Sequence, residues 1–304
     1  MRNLLPPAAL IFATISRLLL TNSPSFAYIL AFLTAALAFA ALVTLGRDDS
    51  RLARIACPVL FGLMVLWLWE MAVIGLKIPF ILLPPPSAIA LALAANAATL
   101  AADFEQTYLH AVIIGYAIGC GAGFLIAIAI DRSKFLQTGL TPLANAVAAM
   151  PIVGIAPIAI EWFGFDWPSK AAVVVLMTIF PMLVGTQAGL AHAGAIERDL
   201  MRSYGASYWN TLLKLRLPAA MPMIFNALKL NSTLALIGAI VAEFFGTPTR
   251  GMGFRISTES ARMNLDIVWA TITIAALAGS LSFAAIAATE RRVTFWDPSF
   301  HKRP

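Results

Sequence analysis

Chemistry needs side chains that titrate, attack or ligate, and it needs them close together. In this chain of 304 residues they are few and scattered. Cys57 and Cys120 sit in apolar runs, with no metal-ligand spacing and no disulfide framework. His110, His192 and His301 form no ligand cluster. No G-x-x-x-x-G-K-[ST] loop is present to cradle nucleotide phosphates; the nearest stretch, 164–170, lacks the second glycine. Paired acids, a histidine-rich metal motif and a Ser–Lys arrangement are all missing, so an intramembrane enzyme fails on its site. Neither metal nor cofactor is expected in this chain.

What remains is a set of charges inside apolar runs: Glu70, Glu161, Lys229 and Glu243. Burying charge in hydrocarbon is expensive, so each is a functional candidate. Lys229 lies a third of the way into its run and is expected to snorkel to the interface. Glu161 stands beside Trp162 after a proline-broken run, as a substrate contact or as an interfacial acid. Asn145, Met150, Thr178, Asn231, Ser232 and Thr233 are the polar or soft residues placed toward a central path; interhelical hydrogen bonding is the competing role.

The elements that must position these residues follow from composition. The chain is 60% hydrophobic and only 12% charged, against about half and a quarter for soluble domains. Those charges are too few to cover a soluble surface, and disorder is excluded by the same balance. An all-α integral membrane protein results, since a membrane helix needs about 20 mostly apolar residues. Seven runs qualify: 28–45, 55–76, 108–130, 135–160, 171–190, 221–242 and 267–289. Residues 4–20 read as an interfacial helix or a short further span. Ser25-Phe26-Ala27 would serve as a cleavage site if they formed a signal peptide, a reading that Arg17 weakens.

Lysine and arginine give the orientation. With 46–54, 131–134, 191–220 and the segment after Glu290 on the cytoplasmic side, that side holds 13 of the 21 basic residues. Five lie on the other side, among them Arg250, Arg255 and Arg262, which would meet an acidic partner or serve as ordinary loop charges. The net charge of +6 is therefore a topology signal and not a nucleic-acid signal, and the C-terminus is expected to be cytoplasmic.

The longest polar segment, 191–220, has helical periodicity broken by Gly205 and stopped at Pro218. Two short amphipathic helices joined at the glycine would make a knob presenting Tyr204, Tyr208 and Trp209. Such a knob suits a groove on a soluble partner, or lies against the protein's own helices. Elsewhere Gly115, Gly119 and Gly123 form a row favouring close helix packing. Pro142, Pro151, Pro157 and Pro181 interrupt helices, lining a cavity or simply kinking them.

The segment 191–220 resembles the coupling loop of permease subunits from bacterial ABC importers, whose signature is E-A-A, three residues, G, nine residues, I-x-L-P. The matching positions are Asp199-Leu200-Met201, Gly205 and Leu215-Arg216-Leu217-Pro218. Asp199 keeps the acid, whereas Leu200 and Met201 are bulkier than the two alanines. Further segments are similar to the nitrate, sulfonate and taurine branch. They are Leu83-Pro84-Pro85-Pro86-Ser87-Ala88, Ala149-Met150-Pro151 through Pro157, Trp162-Phe163-Gly164-Phe165, IGAIVAEFFGTPTRGMG over 237–253, and Glu290-Arg291-Arg292. The similarity covers about 58–296.

The resemblance implies the type I ABC importer permease fold, with six core transmembrane helices plus at least one extra N-terminal span. Residues 1–54 would be an extension carrying the span 28–45, and 55–304 the permease domain. Coupling to the ATPase would fall to Asp199, Leu200, Met201, Tyr204, Gly205, Ala206, Trp209, Leu217 and Pro218. Glu70 would be structural, and Glu243 would hold the loop after it. Implied partners are two ATPase subunits carrying ATP and Mg, a second permease copy, an extracytoplasmic solute-binding protein and membrane lipid of the bacterial inner membrane. The solute would be a nitrate-, sulfonate- or taurine-like anion or a heterocyclic vitamin precursor. A stand-alone secondary transporter is the other class, but no internal repeat supports it.

Overall fold

The computed structural model describes residues 39, 40, 43, 44, 46, 50–133, 135, 136, 138, 139, 151–246 and 249–296. The described chain is helical: α1 (Arg51–Gly75), α2 (Pro86–Ala95), α3 (Ala97–Arg132), α4 (Ile152–Phe163), α5 (Trp167–Ala191), α6 (Ala195–Ser203), α7 (Tyr208–Glu243), α8 (Met252–Ala261) and α9 (Leu265–Val293). Among the described residues five helices are long and apolar enough to cross a membrane, namely most of α1, and α3, α5, α7 and α9. They coincide with five of the runs read from sequence. The run 28–45, apart from residues 39, 40, 43 and 44, lies outside the described residues, as do the N-terminal residues 4–20, Pro142, Asn145 and Met150; of the run 135–160, residues 135, 136, 138 and 139 and α4 are described.

The helix expected at 108–130 starts earlier, at Ala97. An uncharged-run criterion stops at Asp103 and Glu105, but Asp103 is fully buried and neutralised. It accepts from Arg255 Nε at 2.7 Å and from the Gly251 amide at 2.9 Å. Within α3, residues Glu105–Val112 form a π-helical segment.

The chain divides into two compact units, 1–96 with 259–270, and 97–258 with 271–304. In the first, Ser50 caps α1 by accepting from the Ala53 amide at 3.2 Å. Glu70 reaches the start of α2, where the Ser87 amide and hydroxyl donate to it at 3.0 and 2.7 Å. A carboxylate there satisfies otherwise unpaired amides and complements the helix dipole. Trp69 packs edge-on to Trp269, centroids 5.0 Å apart.

The second unit is organised around α5, joined to its neighbours by small residues. A Cβ at Gly115, Gly119 or Gly123 would meet Ala171 O at 2.7 Å, Val175 O at 2.9 Å or Ile179 O at 2.3 Å. The glycine row of α3 thus lies directly on the α5 backbone, and the two helices run parallel. On the α7 side, a Cβ at Gly185 would lie 2.6 Å from Ala227 Cβ, and one at Gly189 2.9 Å from Ala220 Cβ, with the order reversed. Hydrocarbon supplies no hydrophobic drive between helices, so backbone-to-backbone packing is what holds this trio. Thr178, Asn231 and Cys120 bridge the same three helices. The Asn231 amide donates to Thr178 O at 2.9 Å and to Cys120 Sγ at 3.2 Å.

Candidate functional site

The knob is built by its backbone. α6 ends at Tyr204, and Gly205 follows with φ +66°. The Gly205 amide donates to Arg202 O at 2.9 Å and the Ala206 amide to Met201 O at 3.0 Å. This pair of bonds is a Schellman stop, which places a left-handed residue at this position, and glycine takes that conformation without a Cβ penalty. Two residues on, Ser207 caps α7 by accepting from the Asn210 amide at 3.3 Å. α6 and α7 are therefore joined by four residues, 204–207, whose hydrogen bonds are nearly all local.

The surface of this hairpin is apolar and open. Ile196 is 83% exposed, Tyr204 80%, Leu200 55% and Trp209 51%. Asp199 is exposed beside them in an i,i+3 pair with Arg202 at 3.1 Å, a pair worth little by itself. Met201, Ala206, Leu217 and Pro218 are half-buried. Leu212, by contrast, is fully buried and packs with Leu190, Ala220 and Ile224, rooting the knob in the helix bundle.

The base of the knob is tied to the end of α3. Arg216 closes a π-helical turn, Leu212–Arg216, and its guanidinium forks onto Asp131, each of two bonds 2.7 Å long. Arg216 Nε also donates to Leu190 O at 3.2 Å, at the end of α5. The Tyr208 hydroxyl donates to Asp131 Oδ2 at 2.9 Å. Arg132 lies over the Tyr208 ring at 5.1 Å and the Trp209 ring at 5.8 Å.

At the opposite ends of these helices a second polar cluster holds the segment between α7 and α8. Glu243, itself buried, accepts from Thr107 Oγ1 at 2.7 Å and from the Gly253 amide at 2.6 Å. Thr107 Oγ1 in turn accepts from the Met252 amide at 2.7 Å. Buried Lys170 folds back to donate to Phe165 O at 2.6 Å and to Ser169 Oγ at 3.1 Å. Asp166 caps α5, accepting from the Trp167 amide at 2.8 Å. The Gln106 amide donating to Asp166 holds that carboxyl below the usual carboxylate range.

The residues placed along a central path are distributed as follows. Thr178 and Asn231 are brought together, both fully buried, and their bonds are interhelical. Ser232 is buried and donates to Lys229 O at 2.7 Å. Thr233, its neighbour on α7, is exposed, and so is Glu161 on α4. Lys229 does not stand alone at an interface; it pairs with Glu290 of α9 at 2.8 Å, both side chains largely shielded. Sequence reasoning gave no role to Asp131, Arg132 or Arg216. Arg216 falls within the Leu215–Pro218 motif, but its partner is 85 residues away.

With this geometry in view, similarity to known proteins is informative. The family model described as the binding-protein-dependent transport system inner membrane component matches residues 115–295. The chain belongs to that family. A probable ABC transporter permease protein of Haemophilus influenzae is 30% identical over 73% of this chain and 89% of its own. The formylaminopyrimidine transport permease protein of Halalkalibacterium halodurans is 30% identical over 79% of this chain and 95% of its own. The taurine transport system permease protein of Escherichia coli is 25% identical over 81% and 91%. The protein is thus an inner-membrane, multi-pass ABC permease subunit of the type I importer fold, and a transport component rather than an enzyme.

Proposed function

We propose that this permease lines the path of a small solute in an ATP-driven importer and takes its power from a separate ATPase through the knob at 191–220. The observation carrying the proposal is the open apolar face of Ile196, Leu200, Tyr204 and Trp209, set on a rigid glycine-capped hairpin. Such a face fits the helix-in-groove mode of docking, with aromatic anchors supplying most of the energy. Two permease copies would pair with two ATPase subunits that hold ATP and Mg, and a solute-binding protein would deliver the solute on the face away from the knob. The basic bias of the knob side supports a cytoplasmic knob and a cytoplasmic C-terminus. Residues 1–54 would be an extension outside the permease domain. The names of the relatives support a small anion, such as a sulfonate or taurine, or a heterocyclic precursor as the cargo.

Co-purification tests the docking. The ATPase subunit should be retained by the intact permease and lost on deleting 197–217. Trp209→Ala should weaken retention by about 30-fold, the scale of one aromatic anchor, at unchanged permease abundance. Equal retention by all three proteins would refute the proposal.

A further inference from the structure

We propose that Asp131 is the pivot through which the knob moves α3, so that force at Trp209 enters α3 directly as well as α7 along the chain. The inference rests on the docking role of the knob. It goes further by naming the positioning residues and the route.

The carboxylate of Asp131 takes three bonds: two from Arg216 and one from Tyr208. Its donors belong to the knob and its root, while Asp131 is the second-last residue of α3. The link is a planar fork on a carboxylate, which fixes orientation as well as distance. Its two side chains are only 14% and 18% exposed, so solvent screens it little. The next residue, Arg132, grips the two aromatic rings from above. Consecutive residues of α3 therefore hold the knob by two different forces, and neither contact can slide without breaking.

Without this link α3 would meet the knob only through apolar packing and the exposed Arg132, neither of which fixes an orientation. With it, a tilt of the docking face becomes a displacement of the α3 terminus. The glycine row then carries that displacement along α3 and α5 together, because their backbones already touch. Arg216 Nε on Leu190 O secures the end of α5 to the same guanidinium. The exposed i,i+3 pair of Asp199 and Arg202 has no comparable role, being local to α6.

The test uses the full permease–ATPase complex in lipid, with ATP plus vanadate as the probe, so that no cargo needs to be known. Glu105→Cys, an exposed site at the far end of α3, reports through its rate of maleimide labelling. Mass spectrometry of the labelled peptide leaves Cys57 and Cys120 in place. ATP–vanadate should change the labelling rate by about threefold or more. Asp131→Asn and Arg216→Lys should abolish that change while co-purification and vanadate trapping stay at the unmodified level, a pattern that simple destabilisation does not produce. Should either variant fail to accumulate, Tyr208→Phe decides the matter, because it removes one of the three bonds to Asp131 and keeps the ring; it too should diminish the response. An undiminished response in any variant that accumulates, or no response in the unmodified complex, overturns the proposal. Failure of the unmodified permease to retain the ATPase would instead refute the docking role itself.

Discussion

Gly121 and Gly123 are two residues apart on α3, yet adding one methyl group to each should have opposite effects. A Cβ at Gly123 would lie 2.3 Å from Ile179 O and 3.0 Å from Met182 Cβ. Ordinary contact begins near 3.4 Å, and the carbonyl belongs to the α5 backbone, so it cannot rotate aside. α3 and α5 must part by about 1 Å, which forfeits a quarter to a half of each dispersion contact along the seam. Overpacking of this kind costs about 1–3 kcal/mol. A Cβ at Gly121 meets nothing within 4 Å, and alanine there gains up to about 1 kcal/mol in helix propensity. The two variants should then differ by about 1–3 kcal/mol, because the propensity gain is common to both. At about 2–4 °C per kcal/mol for a chain of this size, the gap in Tm is roughly 2–12 °C. Thermal unfolding in detergent, followed by tryptophan fluorescence, measures it. Equal Tm values for Gly121→Ala and Gly123→Ala would refute a seam made by backbone contact.

Lys229→Met leaves Glu290 shielded without its cation and should destabilise the permease by about 3 kcal/mol. Adding Glu290→Leu should recover most of that loss; additive losses in Tm would show that the two groups do not act as a pair. Glu243→Gln keeps the size of the side chain but turns one of its two accepting oxygens into a donor, so that Thr107 and the Gly253 amide can no longer both be held. The segment 244–253 should then be cut by protease several-fold faster, since local opening governs cleavage; an unchanged rate would assign the hold on that segment elsewhere.

Hydropathy marked five of the spans because a bilayer demands one simple property over many consecutive residues. The glycine stop of the knob was legible for a related reason, being a local device complete within a few residues; Pro218 misled, because the helix it was expected to end runs through it as α7, from Tyr208 to Glu243. The pairs that tie helices together were not. Asp131 with Arg216, Lys229 with Glu290, and Thr107 with Glu243 are separated by 85, 61 and 136 residues. No periodicity links such partners, and each alone looks like a loop charge, a snorkelling lysine or a buried hydroxyl. The true start of α3 was hidden likewise, because the cation that makes Asp103 tolerable in an apolar helix lies on α8.

The hairpin at Gly205 separates two things that most docking surfaces combine. Its turn is set by main-chain hydrogen bonds and one serine cap, while the exposed side chains of Ile196, Leu200 and Tyr204 take no part in it. Form and recognition are thus written in different atoms. Leucine and methionine can stand at 200 and 201, where the related signature has alanines, without deforming the hairpin that presents them. On the proposed docking, a permease built this way would be refitted to a different ATPase by exchanging surface side chains alone, and a set of such chains in one cell would keep their motors distinct while sharing one lever.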